Sequence, residues 1–114
     1  MKGQLTIIDL YECDNDLVKN KVALARFGKE LCKVIKMKAH GGPIIKRYGK
    51  GKLRGYTAVQ LIETSNIVIH LDEYEHKVFI DIFSCKDFDS LVARDFSKKY
   101  FMAKKFKLKT IMRE

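Results

Sequence analysis

Three strand-like segments lie between residues 56 and 85 with almost nothing between them, and this feature most constrains the fold. The segments are YTAVQLIE at 56–63, NIVIHL at 66–71 and KVFIDIFSC at 77–85. The polar connection DEYEH is too short for a crossover between parallel strands, so the last two segments are predicted to form an antiparallel hairpin.

The hairpin also predicts a register. A turn centred near Tyr74 and Glu75 pairs residues whose numbers sum to about 149. This register places Cys85 opposite Thr64 and beside Ser65. A thiol is therefore expected near the Thr-Ser step that interrupts LIETSNIVIH.

His70 is expected to lie far from that step within one chain. It follows Ser65 along the same strand, at a separation of roughly 16 Å if the strand is extended. Either the chain bends sharply after Ser65, or His70 serves the serine of a second copy.

The remaining segments predict an α+β fold of order β-α-β-β-β-β-α-β, a two-layer αβ sandwich with helices on one face of a mostly antiparallel sheet. The other face is left for a second sheet or a partner copy. The added segments are a strand at 4–11, a helix at 17–35, an interrupted strand at 36–47, a loop at 48–55, a helix within 87–101 and a strand at 105–112.

Both helices are predicted from apolar residues at helical spacing. Asp14, Asn15 and Asp16 are candidate N-caps for the first. The expected apolar positions are Leu17, Leu24, Phe27, Leu31, Val34 and Ile35 in the first helix, and Phe88, Leu91, Val92, Phe96 and Tyr100 in the second.

Length and composition favour a single globular domain, residues 1–114. Hydrophobic residues make up 46% of the chain and charged residues 32%, which excludes the disordered classes. No apolar run is long enough to span a membrane and the N-terminus offers no cleavable signal, so we expect a cytoplasmic protein. The net charge is +9, but the sequence contains no nucleic-acid-binding motif, so no nucleic-acid partner is expected.

The cysteines do not predict a disulfide framework or a metal site. Cys13, Cys32 and Cys85 are odd in number and lack CxxC spacing. On local grounds, Cys85 can simply pack as a small hydrophobe, and Ser65 can bond its own backbone. A Ser-His-Asp hydrolase is not favoured, because no GxSxG turn precedes a helix.

The order and spacing of several short motifs resemble the small bacterial and archaeal S-adenosylmethionine decarboxylase proenzymes. SNIVIH is similar to the family's S-H-I-S-I-H, DIFSC to its D-x-F-T-C, and GQLTIIDLYEC to its G-x-H-x-x-x-D-x-Y-G-C. The matching residues are Gly3, Asp9, Tyr11, Cys13, Gly55, Thr57, Ser65, Ile67, Ile69, His70, Asp81, Phe83 and Cys85. The likeness runs over nearly the whole chain.

The resemblance implies chemistry at the Thr64–Ser65 bond. Self-cleavage there would convert Ser65 into a pyruvoyl cofactor, which forms a Schiff base with a substrate amine. His70 and Thr57 would assist the cleavage, Cys85 would donate a proton during decarboxylation, and no metal would be needed. The family's active sites lie at a dimer interface, so we predict that His70 acts on Ser65 of the other protomer.

The chain also departs from the family's pattern. The family has Glu and His where this chain has Thr64 and Asn66, and H-T-W-P-E where it has HLDEY. S-adenosylmethionine is the favoured substrate, for spermidine synthesis. The alternatives are a pyruvoyl-dependent arginine or ornithine decarboxylase, whose cationic substrate would meet Asp72 and Glu73, and an unprocessed homologue that acts as a binding or regulatory partner.

Overall fold

The computed structural model describes residues 2–114, which form one antiparallel sheet of six strands with two α-helices. The strands are β1 (Gly3–Tyr11), β2 (Ile44–Tyr48), β3 (Gly55–Ile62), β4 (Ser65–Asp72), β5 (Lys77–Ser84) and β6 (Lys105–Arg113), and the helices are α1 (Lys21–Val34) and α2 (Ser90–Tyr100). The order across the sheet is β2-β3-β4-β5-β1-β6. The predicted fold class and element order are confirmed.

Both helices cover the same face of the sheet. Ile8, Ile80, Ile69 and Ala58 are consecutive cross-strand neighbours on that face, and all four are buried. Phe27 of α1 contributes a fully buried ring to this core. Because side chains alternate along a strand, the other face carries the half-buried residues between them.

The two helices are joined by aromatic packing and one hydrogen bond. Phe27 contacts Phe96 and Phe101, with ring centroids 5.7 Å and 4.7 Å apart. The Tyr100 hydroxyl donates to the Ala23 carbonyl at 2.7 Å. None of the helices in residues 2–114 combines the length and apolar character needed to cross a membrane.

The first helix begins later than predicted. Leu17–Lys19 forms a separate 3₁₀ turn, for which Asp14 accepts the Leu17 N–H at 3.0 Å. Asn20 then accepts the Ala23 N–H at 2.9 Å and caps α1. The expected N-cap at Asp14, Asn15 or Asp16 was therefore wrong for the α-helix, since two short polar residues satisfy two successive turns.

The second helix buries only part of the expected stripe, because Phe96 and Tyr100 pack against the core as expected. Leu91 and Val92 are exposed, whereas Ala93 and Ser97 are buried.

The prediction of an interrupted strand at 36–47 was also partly wrong, because regular pairing begins only at Ile44, after the Gly-Gly-Pro step.

Gly55 lies where β3 passes close to the backbone of β4. A Cβ atom at this position would be 2.0 Å from the Leu71 carbonyl oxygen, whereas a Cβ at Gly42 would meet nothing within 4 Å. Because backbone atoms cannot move aside as a flexible side chain can, Gly55→Ala is expected to lower the free energy of unfolding by about 3 kcal/mol.

The matched control for this prediction is Gly42→Ala, which is expected to change that free energy by about 0.5 kcal/mol or less. Urea denaturation of both variants measures the difference. Equal stability of the two would contradict the close approach of β3 and β4.

Candidate functional site

The predicted site residues form two groups at opposite ends of β4. Thr64, Ser65 and Cys85 lie at the start of β4, beside the end of β5, whereas Thr57 and His70 lie near the other end. Each group has its own hydrogen bonds. The first group offers a hydroxyl and a thiol, and the second offers an imidazole paired with a hydroxyl.

The first group is built on the hairpin turn between β3 and β4. Ile62 pairs with Ser65, so Glu63 and Thr64 form a two-residue turn directly before the serine. The Cys85 N–H donates to the Thr64 carbonyl at 3.1 Å. The predicted placement of Cys85 opposite Thr64 is confirmed.

The hydroxyl groups at this turn have partners that the sequence did not reveal. The Thr64 and Ser84 hydroxyls lie 2.7 Å apart, and either can be the donor. The Asn66 side-chain amide donates to the Ser65 Oγ at 3.1 Å. Both residues flanking Ser65 depart from the family's pattern, and both make contacts here.

The second group is a hydrogen-bonded pair on adjacent strands. Thr57 and His70 are cross-strand partners, and Thr57 Oγ1 lies 3.1 Å from His70 Nδ1. The pair borders a cavity of about 210 Å³ on the sheet face that the helices leave open. The other lining residues are Tyr48, Lys52, Leu53, Arg54, Gly55, Tyr56, Leu71, Asp72 and Phe79.

The two groups do not meet within one protomer. Strand β4 runs without interruption from Ser65 to Asp72, so the chain does not bend sharply after Ser65. At the usual rise per residue, Ser65 and His70 are roughly 16 Å apart. Their side chains also leave opposite faces of the sheet, because the residue numbers differ by an odd count.

The two acidic residues after His70 already have partners. The guanidinium of Arg47 forms a bidentate ion pair with the Glu73 carboxylate. Its Nε donates to Oε2 at 2.9 Å, and its Nη2 donates to Oε1. Hydrogen bonding to Glu73 raises the pKa of Arg47. The Asp72 carboxylate accepts the N–H groups of Tyr74 and Glu75, at 3.1 Å and 3.0 Å.

These contacts reduce the charge available to a cationic substrate. Glu73 is 10% exposed and faces Arg47, so a guanidinium of the protein occupies the place expected for an arginine or ornithine side chain. Asp72 lines the cavity but also holds the turn. Their role in substrate binding stays a prediction.

The three cysteines differ in exposure. Cys85 is exposed, whereas Cys13 and Cys32 are buried. Burial raises the pKa of the Cys13 thiol to about 11 and also raises the pKa of Cys32. Because the thiolate is the reactive form, the exposed Cys85 is better suited to chemistry than either buried thiol. Residues 2–114 hold no cluster of three or more metal-ligating side chains.

The fold and the site together define a two-layer α+β protein. Its candidate site has a serine directly after a hairpin turn and an exposed cysteine whose N–H is hydrogen-bonded to the carbonyl of the residue before that serine. A family model described as S-adenosylmethionine decarboxylase matches residues 4–114. The chain therefore belongs to the S-adenosylmethionine decarboxylase family.

Curated relatives agree with this assignment. The chain is 30% identical to an S-adenosylmethionine decarboxylase proenzyme of Clostridium botulinum strain Langeland, over 97% of this chain and 93% of the relative. It is 29% identical to the proenzyme of strain Hall over the same shares.

A solved structure shows the same fold. The crystal structure of the adenosylmethionine decarboxylase from Aquifex aeolicus VF5 superposes with a TM-score of 0.78 at 21% sequence identity. The match covers 97% of this chain and 89% of that one.

Proposed function

We propose that this chain is a self-cleaving, pyruvoyl-dependent S-adenosylmethionine decarboxylase, cut between Thr64 and Ser65 within a single domain of residues 1–114. The observation that carries the proposal is the turn before Ser65, where the Cys85 N–H is bonded to the Thr64 carbonyl. Membership of a decarboxylase family, and relatives named as proenzymes, support it.

The turn suits an acyl shift from nitrogen to oxygen. The Ser65 Oγ attacks the Thr64 carbonyl carbon, the peptide C–N bond breaks, the hydroxyl proton passes to the Ser65 nitrogen, and an ester forms. Negative charge develops on the Thr64 oxygen during this step. The Cys85 N–H, 3.1 Å away, already points at that oxygen and can stabilise the charge without rearrangement.

A base then completes the cleavage. Removal of the Ser65 α-proton breaks the bond between Cβ and Oγ, so Thr64 leaves as a free carboxylate and residue 65 becomes dehydroalanine. Addition of water and loss of ammonia leave a pyruvoyl group at the head of the second fragment. We assign the proton transfer to His70, whose ring is oriented by the Thr57 hydroxyl.

This assignment requires a second copy of the chain. The face opposite the helices carries half-buried apolar side chains, including Ile7, Val68, Val59 and Phe79, which a partner sheet would cover. A two-fold axis lying between two such sheets and crossing the strands reverses the strand direction in the partner. The Ser65 end of one β4 then lies over the His70 end of the other, so that His70, whose side chain leaves the open face, meets the backbone of Ser65, whose own side chain leaves the helix face.

Decarboxylation would use several groups around the assembled site. The pyruvoyl group would supply a ketone that condenses with the substrate amine, and an electron sink for the pair left on the substrate carbon when CO₂ departs. We assign the return of a proton to the substrate carbon to Cys85, which directly follows β5 and is exposed. The aromatic rings and the cations Lys52 and Arg54 around the cavity suit a purine and a carboxylate.

Self-cleavage is tested by intact mass under denaturing conditions. The purified chain is expected as two fragments, with the second lighter than a serine-headed fragment by the mass of ammonia, because a ketone replaces the serine amine. Ser65→Ala is expected to remain whole, since it lacks the nucleophile. A wild-type chain that stays intact on long incubation would refute the proposed decarboxylase and favour the unprocessed homologue.

The substrate is tested by CO₂ release from carboxyl-labelled compounds. S-adenosylmethionine is expected to be decarboxylated at least about 100-fold faster than arginine or ornithine, which lack the purine and meet a Glu73 already paired with Arg47. The Ser65→Ala protein provides the blank. Faster release from arginine or ornithine would instead support the alternative decarboxylase.

A further inference from the structure

A pair of hydroxyl groups, one of them fully buried, lies beside the predicted scissile bond. Ser84, which is fully buried, lies directly across from Ser65 in the β4–β5 register. Its Oγ is 2.7 Å from the Thr64 hydroxyl and accepts the Lys86 N–H at 2.9 Å. The Met37 sulfur lies 3.6 Å from the Thr64 hydroxyl and 3.8 Å from that of Ser84.

Thr64 is consequently attached to β5 at two points. Its side chain is bonded to Ser84 and its carbonyl to the N–H of Cys85, the next residue along. Two attachments on consecutive residues prevent rotation of the Thr64 carbonyl about the strand direction. A β-branched threonine also has few χ1 rotamers, so the hydroxyl contact fixes the backbone more firmly than a long flexible side chain would.

We propose that the Thr64 and Ser84 hydroxyls act as a positioning pair for self-cleavage, an inference that rests on the proposed function. The pair holds the carbonyl carbon of Thr64 at the angle from which the Ser65 Oγ attacks, and holds the carbonyl oxygen on the Cys85 N–H. Thr64 and Ser84 are positioning residues, because neither of their hydroxyls gives or takes an atom in the acyl shift.

The test compares the rates of self-cleavage of four variants with the wild-type chain. Thr64→Val keeps the shape of the side chain but removes the hydroxyl, and is expected to slow cleavage at least about tenfold, as is Ser84→Ala. Thr64→Ser restores the hydroxyl and is expected to cleave within about threefold of the wild-type rate.

The chain contains a matched control in another pair of hydroxyl groups. Thr6 and Thr110 on β1 and β6 lie 3.1 Å apart, away from the turn. Thr110→Val removes a similar cross-strand contact and is expected to leave the cleavage rate unchanged. Thermal midpoints measured alongside separate an effect on cleavage from a general loss of stability.

Hydroxylamine locates the affected step, because it captures the ester and releases the first fragment as a hydroxamic acid and the second with Ser65 intact. Thr64→Val is expected to remain slow in hydroxylamine, since ester formation itself is impaired. Rapid release by hydroxylamine, or wild-type rates in Thr64→Val, would overturn the positioning role.

Self-cleavage and the positioning role are refuted by different results. A wild-type chain that never cleaves would refute the proposed function together with this inference. A wild-type chain that cleaves beside an equally fast Thr64→Val, or a Thr64→Ser as slow as Thr64→Val, would refute the inference alone.

Discussion

The antiparallel register between β4 and β5 is the constraint on which the candidate site depends. It pairs Ser65 with Ser84 and Asp72 with Lys77, and it brings the Cys85 N–H onto the Thr64 carbonyl. Side chains alternate along a strand, so a slip by one residue would move Ile67 and Ile69 out of the core and separate Ser84 from the turn. The same core packing that stabilises the sheet therefore fixes the geometry around the Thr64–Ser65 bond.

The register was predictable because it follows from the length of one short connection. The polar segment between β4 and β5 allows few hairpin geometries, and the predicted placement of Cys85 opposite Thr64 is confirmed by the hydrogen bond between them. The order of strands and helices was also predictable, because it follows from the hydrophobic periodicity of each segment. These are properties that neighbouring residues determine locally.

Other features depend on tertiary contacts and could not be predicted from local pattern. The Arg47–Glu73 ion pair joins residues distant in sequence, and the Thr64–Ser84 contact requires the sheet to be assembled first. Leu91 and Val92 are apolar yet exposed, whereas the small residues Ala93 and Ser97 lie on the buried side of α2. Capping by Asn20 likewise depended on a preceding 3₁₀ turn that competes with the helix start.

The separation of the site into two groups has a structural cause. A sheet with helices on one face leaves the other face to a partner, and a small domain has too little interior to enclose a substrate alone. In the proposed dimer, Ser65 and Cys85 at one end of β4 would meet Thr57 and His70 of a second sheet that runs in the opposite direction. Self-cleavage would then require assembly.

Mixed dimers of Ser65→Ala and His70→Ala chains test whether each site is shared between two protomers. Each variant alone is expected to remain whole. When the two are co-expressed with different tags and pair at random, about half of the His70→Ala chains should be cleaved, because each mixed dimer restores one complete site. Tagged mixed dimers in which neither chain is cleaved would contradict a site shared between protomers.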